Sequence, residues 1–261
     1  MGHAVYLDHN ATAPVKPEAA AAMAEALAEC GNPSSVHRFG RLARRRVEDA
    51  RDRVAALVGV KPESVIFTSG GSEANALAVA LASSRPILVG ATEHDSILKA
   101  ALDARRVPVR GDGLIDQEQL QALLAEVGEP AFVSIQLANN ETGVIQPIAA
   151  LAALVHAAGG LIHVDAAQAP GRIPVDARAL GADALTLSAH KMGGPQGIGA
   201  LILLADLAPV PIIRGGGQER GWRAGTGGSS RARSTRCSPT ARTLPWRARS
   251  RSSSCSRPTS G

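Results

Sequence analysis

The chain has 261 residues, 45% of them apolar but only 2% aromatic, enough for one large α/β domain with a core of Ala, Leu, Val and Ile. Its formal net charge of +5 suggests a nucleic-acid or membrane partner, but residues 227–261 hold eight Arg and no Asp or Glu, and the remainder, 20 basic against 23 acidic residues, carries −3. No apolar run reaches the ~18 residues of a membrane-spanning helix, and the N-terminus lacks the basic-then-apolar pattern of a secretory leader, so the expected compartment is the cytoplasm.

In chain order, residues 1–15 read as an N-terminal arm, followed by helices over 17–29 and 35–58. A strand over 65–67 runs into a Ser69-Gly70-Gly71 turn and a helix over 73–81. Then come strand 86–89, helix 96–104, strand 107–109, helix 117–126, strand 131–137, helix 148–158 and strand 161–164. Strands near 184–187 and 200–204 close the series. Short apolar strands separated by helices predict right-handed βαβ units and a mostly parallel sheet, flanked by helices, in one domain over 16–226.

At Gly227 the character changes to Ser, Arg, Thr and Pro with little periodicity. Such a segment cannot bury enough apolar area to offset chain entropy, so 227–261 is expected to be disordered. Two readings account for it: a natural basic tail, or the translation of a GC-rich gene out of frame. Cys237 and Cys255 lie there, leaving Cys30 alone in the body, so no disulfide framework is implied.

Five polar clusters each follow a strand. Ser188-Ala189-His190-Lys191 puts a lysine in a Gly-rich turn, where a flat carbonyl cofactor can approach the backbone and form a Schiff base. In His163-Val164-Asp165, an acid ends an apolar strand, where open α/β sheets bind ligands; it can pair with a protonated pyridine nitrogen or simply cap the next helix. Asp165 and Lys191 thus fall at neighbouring strand ends. Ser69-Gly70-Gly71-Ser72 opens a helix and forms an anion site or an ordinary turn. Thr92-Glu93-His94 and Asn139-Asn140-Glu141 supply an imidazole and an amide at two more strand ends. Their joint placement at one sheet edge argues for a ligand site without naming the ligand.

With Tyr6–Pro14, Gly31–His37 and Gly215–Thr226, these segments, in this order, resemble the cysteine desulfurases of the class V aminotransferase group over 5–226. The resemblance implies the large domain of a fold-type-I enzyme dependent on pyridoxal 5'-phosphate (PLP). Lys191 would be its Schiff-base lysine and proton shuttle, Asp165 the pyridine-nitrogen partner and His94 the ring-stacking residue. Gln168 and Asn140 would lie near the phenolic oxygen, and Gly71, Ser72, Ser188 and His190 would cradle the phosphate. Thr226 would reach the phosphate in the partner subunit of a homodimer.

The implied reaction converts L-cysteine to L-alanine and passes sulfur, as an enzyme persulfide, to an acceptor scaffold for iron–sulfur cluster assembly or to tRNA thiolation. The family's catalytic cysteine and carboxylate-clamping arginine, carried by a small C-terminal domain, have no counterpart after Thr226, so this chain is expected to be inactive by itself. A selenocysteine lyase or class V aminotransferase is the alternative within the group. A non-catalytic protein using the basic tail on nucleic acid is the alternative outside it.

Overall fold

The computed structural model describes residues 5–82, 85–205, 207 and 210–225; Thr226 and the tail lie outside the described residues. Helices α1 (Pro17–Ala28) and α2 (Arg38–Leu57) come first. Strand β1 (Val65–Thr68), α3 (Gly71–Ala80), β2 (Ile87–Gly90), the single turn α4 (Asp95–Leu98) and β3 (Arg105–Val107) follow. Then come α5 (Gln117–Val127), β4 (Phe132–Gln136), α6 (Ile148–Ala157), β5 (Leu161–Asp165), β6 (Ala184–Ser188) and β7 (Gly199–Leu203).

The seven strands form one sheet in the order β1-β7-β6-β5-β4-β2-β3. β2, β3, β4, β5 and β6 pair in parallel, whereas β7 runs antiparallel to both of its neighbours. The expected mostly parallel sheet is therefore present, with β7 as its one reversed strand.

Alternate residues of each strand divide between two layers, as the period of two requires. Val133, Ile135, Ile162, Val164, Leu185 and Ile202 join the cluster containing Ala55 of α2, Leu120 of α5 and Leu151 of α6. Phe132, Ala184, Leu201 and Leu203 meet Ala74, Leu77 and Ala78 of α3 on the other face. Moving along that α3 face toward the strands' C-terminal ends, the side chains change from apolar to polar. Phe132 gives way to Ser134 and Gln136, Leu161 to His163 and Asp165, and Ala184 to Thr186 and Ser188. That gradient positions the site.

Several boundaries move by one to three residues, and two differences have a clear local cause. The helix expected over 96–104 stops at Leu98, and its Ala-rich remainder folds into i→i+3 turns, including Ala100 N–H to the Ile97 carbonyl and Ala104 N–H to the Ala101 carbonyl. The strand expected over 107–109 occupies Arg105–Val107. Pro108 has no N–H to continue the ladder, so Val109 forms only an isolated bridge to Ile115.

Candidate active site

A cleft of about 790 Å³ opens at the C-terminal ends of the strands, beside the start of α3. It is lined by Gly71, Ser72, His94, Asn140, Asp165, Gln168, Ser188, His190 and Lys191, which are all the predicted site residues among those described. Thr226 lies outside the described residues.

Asp165 ends β5 and is 6% exposed. Its Oδ2 accepts from Asn75 Nδ2 at 2.7 Å, and its Oδ1 accepts the Ala167 N–H at 3.0 Å. Each oxygen has a second lone pair, so the carboxylate is oriented without being exhausted. The same Asn75 amide donates to Ser96 Oγ at 2.8 Å, and Ser96 Oγ lies 2.7 Å from His94 Nδ1. The Ser96 N–H donates to that ring nitrogen at 3.1 Å, fixing the imidazole at the start of α4. A continuous chain of bonds thus joins Asp165 to His94 through α3.

Lys191 sits in the 3₁₀ turn after β6, half-buried, and donates to the Asn10 carbonyl at 2.6 Å. Burial, and then the Arg172 guanidinium, lower its ammonium below the ordinary lysine value, while Asp165 and Asp8 oppose the change. The neutral amine, which is the nucleophile, is accordingly closer to reach at neutral pH. His190 beside it is also lowered, first by burial and then by Lys191. Its Nδ1 lies 3.1 Å from Thr12 Oγ1. Gly193 has φ +88°, and a Cβ there would come within 2.8 Å of the Lys16 side chain, so the turn takes only glycine.

The start of α3 has no side-chain cap bond. Its acidic first-turn residue is turned to other partners: Glu73 accepts the Ser69 N–H at 2.7 Å and Arg223 at 2.6 and 3.2 Å. Burial pushes the Glu73 carboxyl group up, but those bonds outweigh it and hold the group below the usual carboxylate range. A Cβ on Gly71 would lie 3.3 Å from Ser188 Cβ, crowding the space between the helix start and β6. A phosphate fits there, facing free N–H groups and the positive end of a helix.

The N-terminal arm crosses the cleft. The Ala13 N–H bonds the His190 carbonyl at 2.8 Å, Asn10 Nδ2 bonds the Asn140 carbonyl at 2.8 Å, and Gln168 Nε2 bonds the Asn10 carbonyl at 2.9 Å. Sequence reasoning gave no role to Asn75, Ser96, Asn10 or Glu93. A signal existed only for Asn75: four residues after Gly71, it falls on the same helix face. Among the described residues no cluster of His, Cys, Asp or Glu could hold a metal ion, and no helix is long and apolar enough to cross a membrane.

Comparison with known proteins decides the family. The aminotransferase class-V family model matches residues 5–223. The chain belongs to this family. It is 45% identical over 237 residues to a cysteine desulfurase of Cereibacter sphaeroides, covering 85% of this chain and 61% of that protein. The NifS-like protein of Rickettsia africae superposes with a TM-score of 0.83 at 37% identity, covering 87% of this chain and 65% of that one. The structure of SspA in complex with cysteine gives 0.74 at 31% identity, covering 86% and 69%. The chain therefore spans about six-tenths of the length of the curated relatives it matches. The fold is that of the NifS-like large domain, and the family is PLP-dependent.

Proposed function

We propose that this chain is the cofactor-binding part of a PLP-dependent cysteine desulfurase acting on L-cysteine, with L-alanine as the carbon product. One observation carries the reading: Lys191, Asp165 and the uncapped Gly71–Ser72 helix start converge on one cleft, in a chain similar to cysteine desulfurases. The cysteine bound in the similar SspA structure supports the substrate class.

Bound PLP supplies an electron sink; the protein supplies position and protons. Gly71, Ser72, Ser188 and His190 would hold the phosphate, with the α3 N–H groups as donors. Asp165, oriented by Asn75 and the Ala167 N–H, would accept from the ring nitrogen and keep it cationic. His94, held by Ser96, would pack on the ring, while Asn140 and Gln168 would serve the phenolic oxygen. Lys191 Nζ, bonded here to the Asn10 carbonyl, would hold the cofactor and would carry a proton at the substrate α-carbon.

A homodimer, with Thr226 reaching the partner's phosphate site, and a cytoplasmic role in iron–sulfur cluster assembly or tRNA thiolation complete the reading. The roles that the family resemblance implies for a sulfur-accepting cysteine and a substrate-clamping arginine are assigned to no residue of the cleft. The test is to graft the C-terminal segment of the Cereibacter sphaeroides relative after residue 225, load PLP and add L-cysteine. Alanine formed in step with transferable sulfur is expected. A 2-oxo acid in place of alanine would overturn the reading in favour of an aminotransferase.

A further inference from the structure

Glu93 lies directly beneath the cleft wall, and none of the roles assigned above uses it. It is 6% exposed. Its Oε1 accepts the Gln136 N–H, at the end of β4, at 2.8 Å, and its Oε2 is buried with no hydrogen-bond partner among the described residues. The backbone is fitted around the carboxyl group: a Cβ on Gly90 would stand 2.6 Å from Oε1. Other bonds run from the same strand end to the same turn. Gln136 Nε2 donates to the Thr92 carbonyl and, at 3.2 Å, to Thr92 Oγ1. Asn139 Nδ2 reaches that carbonyl at 3.2 Å.

We propose that Glu93 is a positioning residue whose buried carboxyl group clamps the turn presenting His94 onto the end of β4. The proposal rests on the reading of His94 as a residue facing the cofactor. A fully buried carboxylate with one N–H partner is poorly compensated, whereas a neutral acid keeps the Oε1 bond without the desolvated charge.

The groups facing Glu93 favour the acid form. Burial drives its carboxyl group well above the usual value, and the Asp165 carboxylate on β5 adds to that. The Gln136 N–H and the exposed Arg106 on β3 oppose it. The neutral form also leaves Asp165 without a second negative charge beside it, which suits a partner for a cationic ring. Because the folded state then holds a proton that the unfolded chain has released, stability falls as pH rises above about 4.5.

The experiment compares Glu93→Gln, an isostere of the neutral acid, with Glu93→Ala. In protein without cofactor, Glu93→Ala is expected to raise amide hydrogen exchange across 92–97 by about tenfold, and Glu93→Gln to stay within about twofold of the parent. In a PLP titration followed by visible absorbance, Glu93→Ala weakens binding about tenfold, and the loss vanishes in the His94→Ala background. Unchanged exchange in Glu93→Ala, or an equal loss of PLP affinity with and without His94, overturns the proposal. If the parent binds no PLP while the exchange pattern holds, the cofactor reading fails and the clamp stands.

Where Glu93→Ala does not fold, Glu93→Gln decides. It is expected to match or exceed the parent's stability near pH 8 and to lose that margin toward about pH 4.5. A Gln variant less stable than the parent near pH 8, or one with the parent's full pH dependence, refutes the proposal.

Discussion

At the C-terminal edge of the sheet, each side chain assigned a chemical step is held by a second group, whereas α1, near the N-terminus, buries none of its residues. Asp165 is fixed by Asn75 and His94 by Ser96, while the Gly215–Gly225 segment is tied down by two largely buried ion pairs. In α1, Met23 and Leu27 are exposed, and across the following loop Val36 is 88% and Phe39 62% exposed. Helical periodicity and burial are thus separate facts. A patterned sequence makes a helix, but stability comes from the surface that covers its apolar side.

The largest expected effect lies in the covered region. Phe132→Ala empties a fully buried site between α3 and the sheet, and chemical denaturation should show a loss of about 3–5 kcal/mol. Next is the clamp on the Gly215–Gly225 segment, where Glu219 accepts from Arg51 at 2.9 and 3.1 Å and from the Phe67 N–H at 3.0 Å. Glu219→Ala leaves Arg51, which is 5% exposed, with only the Glu48 carboxylate and the Val65 carbonyl as partners, and should cost about 3 kcal/mol in the same measurement.

The next effect is read per pH unit, and each unit is worth less than either substitution above. Burial lowers His163 to about 3, and it is held by Ser134 Oγ at 2.9 Å and Thr186 Oγ1 at 3.0 Å. The unfolded chain takes up that proton below about pH 6.5 and the folded one does not, so the contribution is full above that pH and is lost as pH falls toward 3. Melts across that window should lose up to about 1.4 kcal/mol per pH unit from this group, a slope that His163→Gln removes. The smallest effect belongs to α1: Leu27→Ala should change stability by less than about 0.5 kcal/mol. A loss there comparable with Phe132→Ala would break the contrast between the two regions.

The element order and the sheet class were legible because the strands are short apolar runs bounded by turn residues. Asp165 and Lys191 were legible because both follow such runs, on strands that prove to be neighbours. The early end of the 96–104 helix was hidden, since Ala-rich residues suit a helix and a series of tight turns alike. The partners of Asn75 and Glu93 were hidden for a different reason. Asn75 meets Asp165 across 90 positions of chain and Glu93 meets Gln136 across 43. Only the strand order β6-β5-β4-β2, with α3 packed against β6 and β7, brings such partners together.

Binding of PLP in the cleft through Lys191 is tested most directly by the visible absorbance of the purified chain with added PLP, before and after borohydride, beside Lys191→Ala. The expected result is a visible band that borohydride fixes covalently to the parent chain and that is missing from the variant. A folded parent with no such band, or a variant that keeps it, would contradict the assignment.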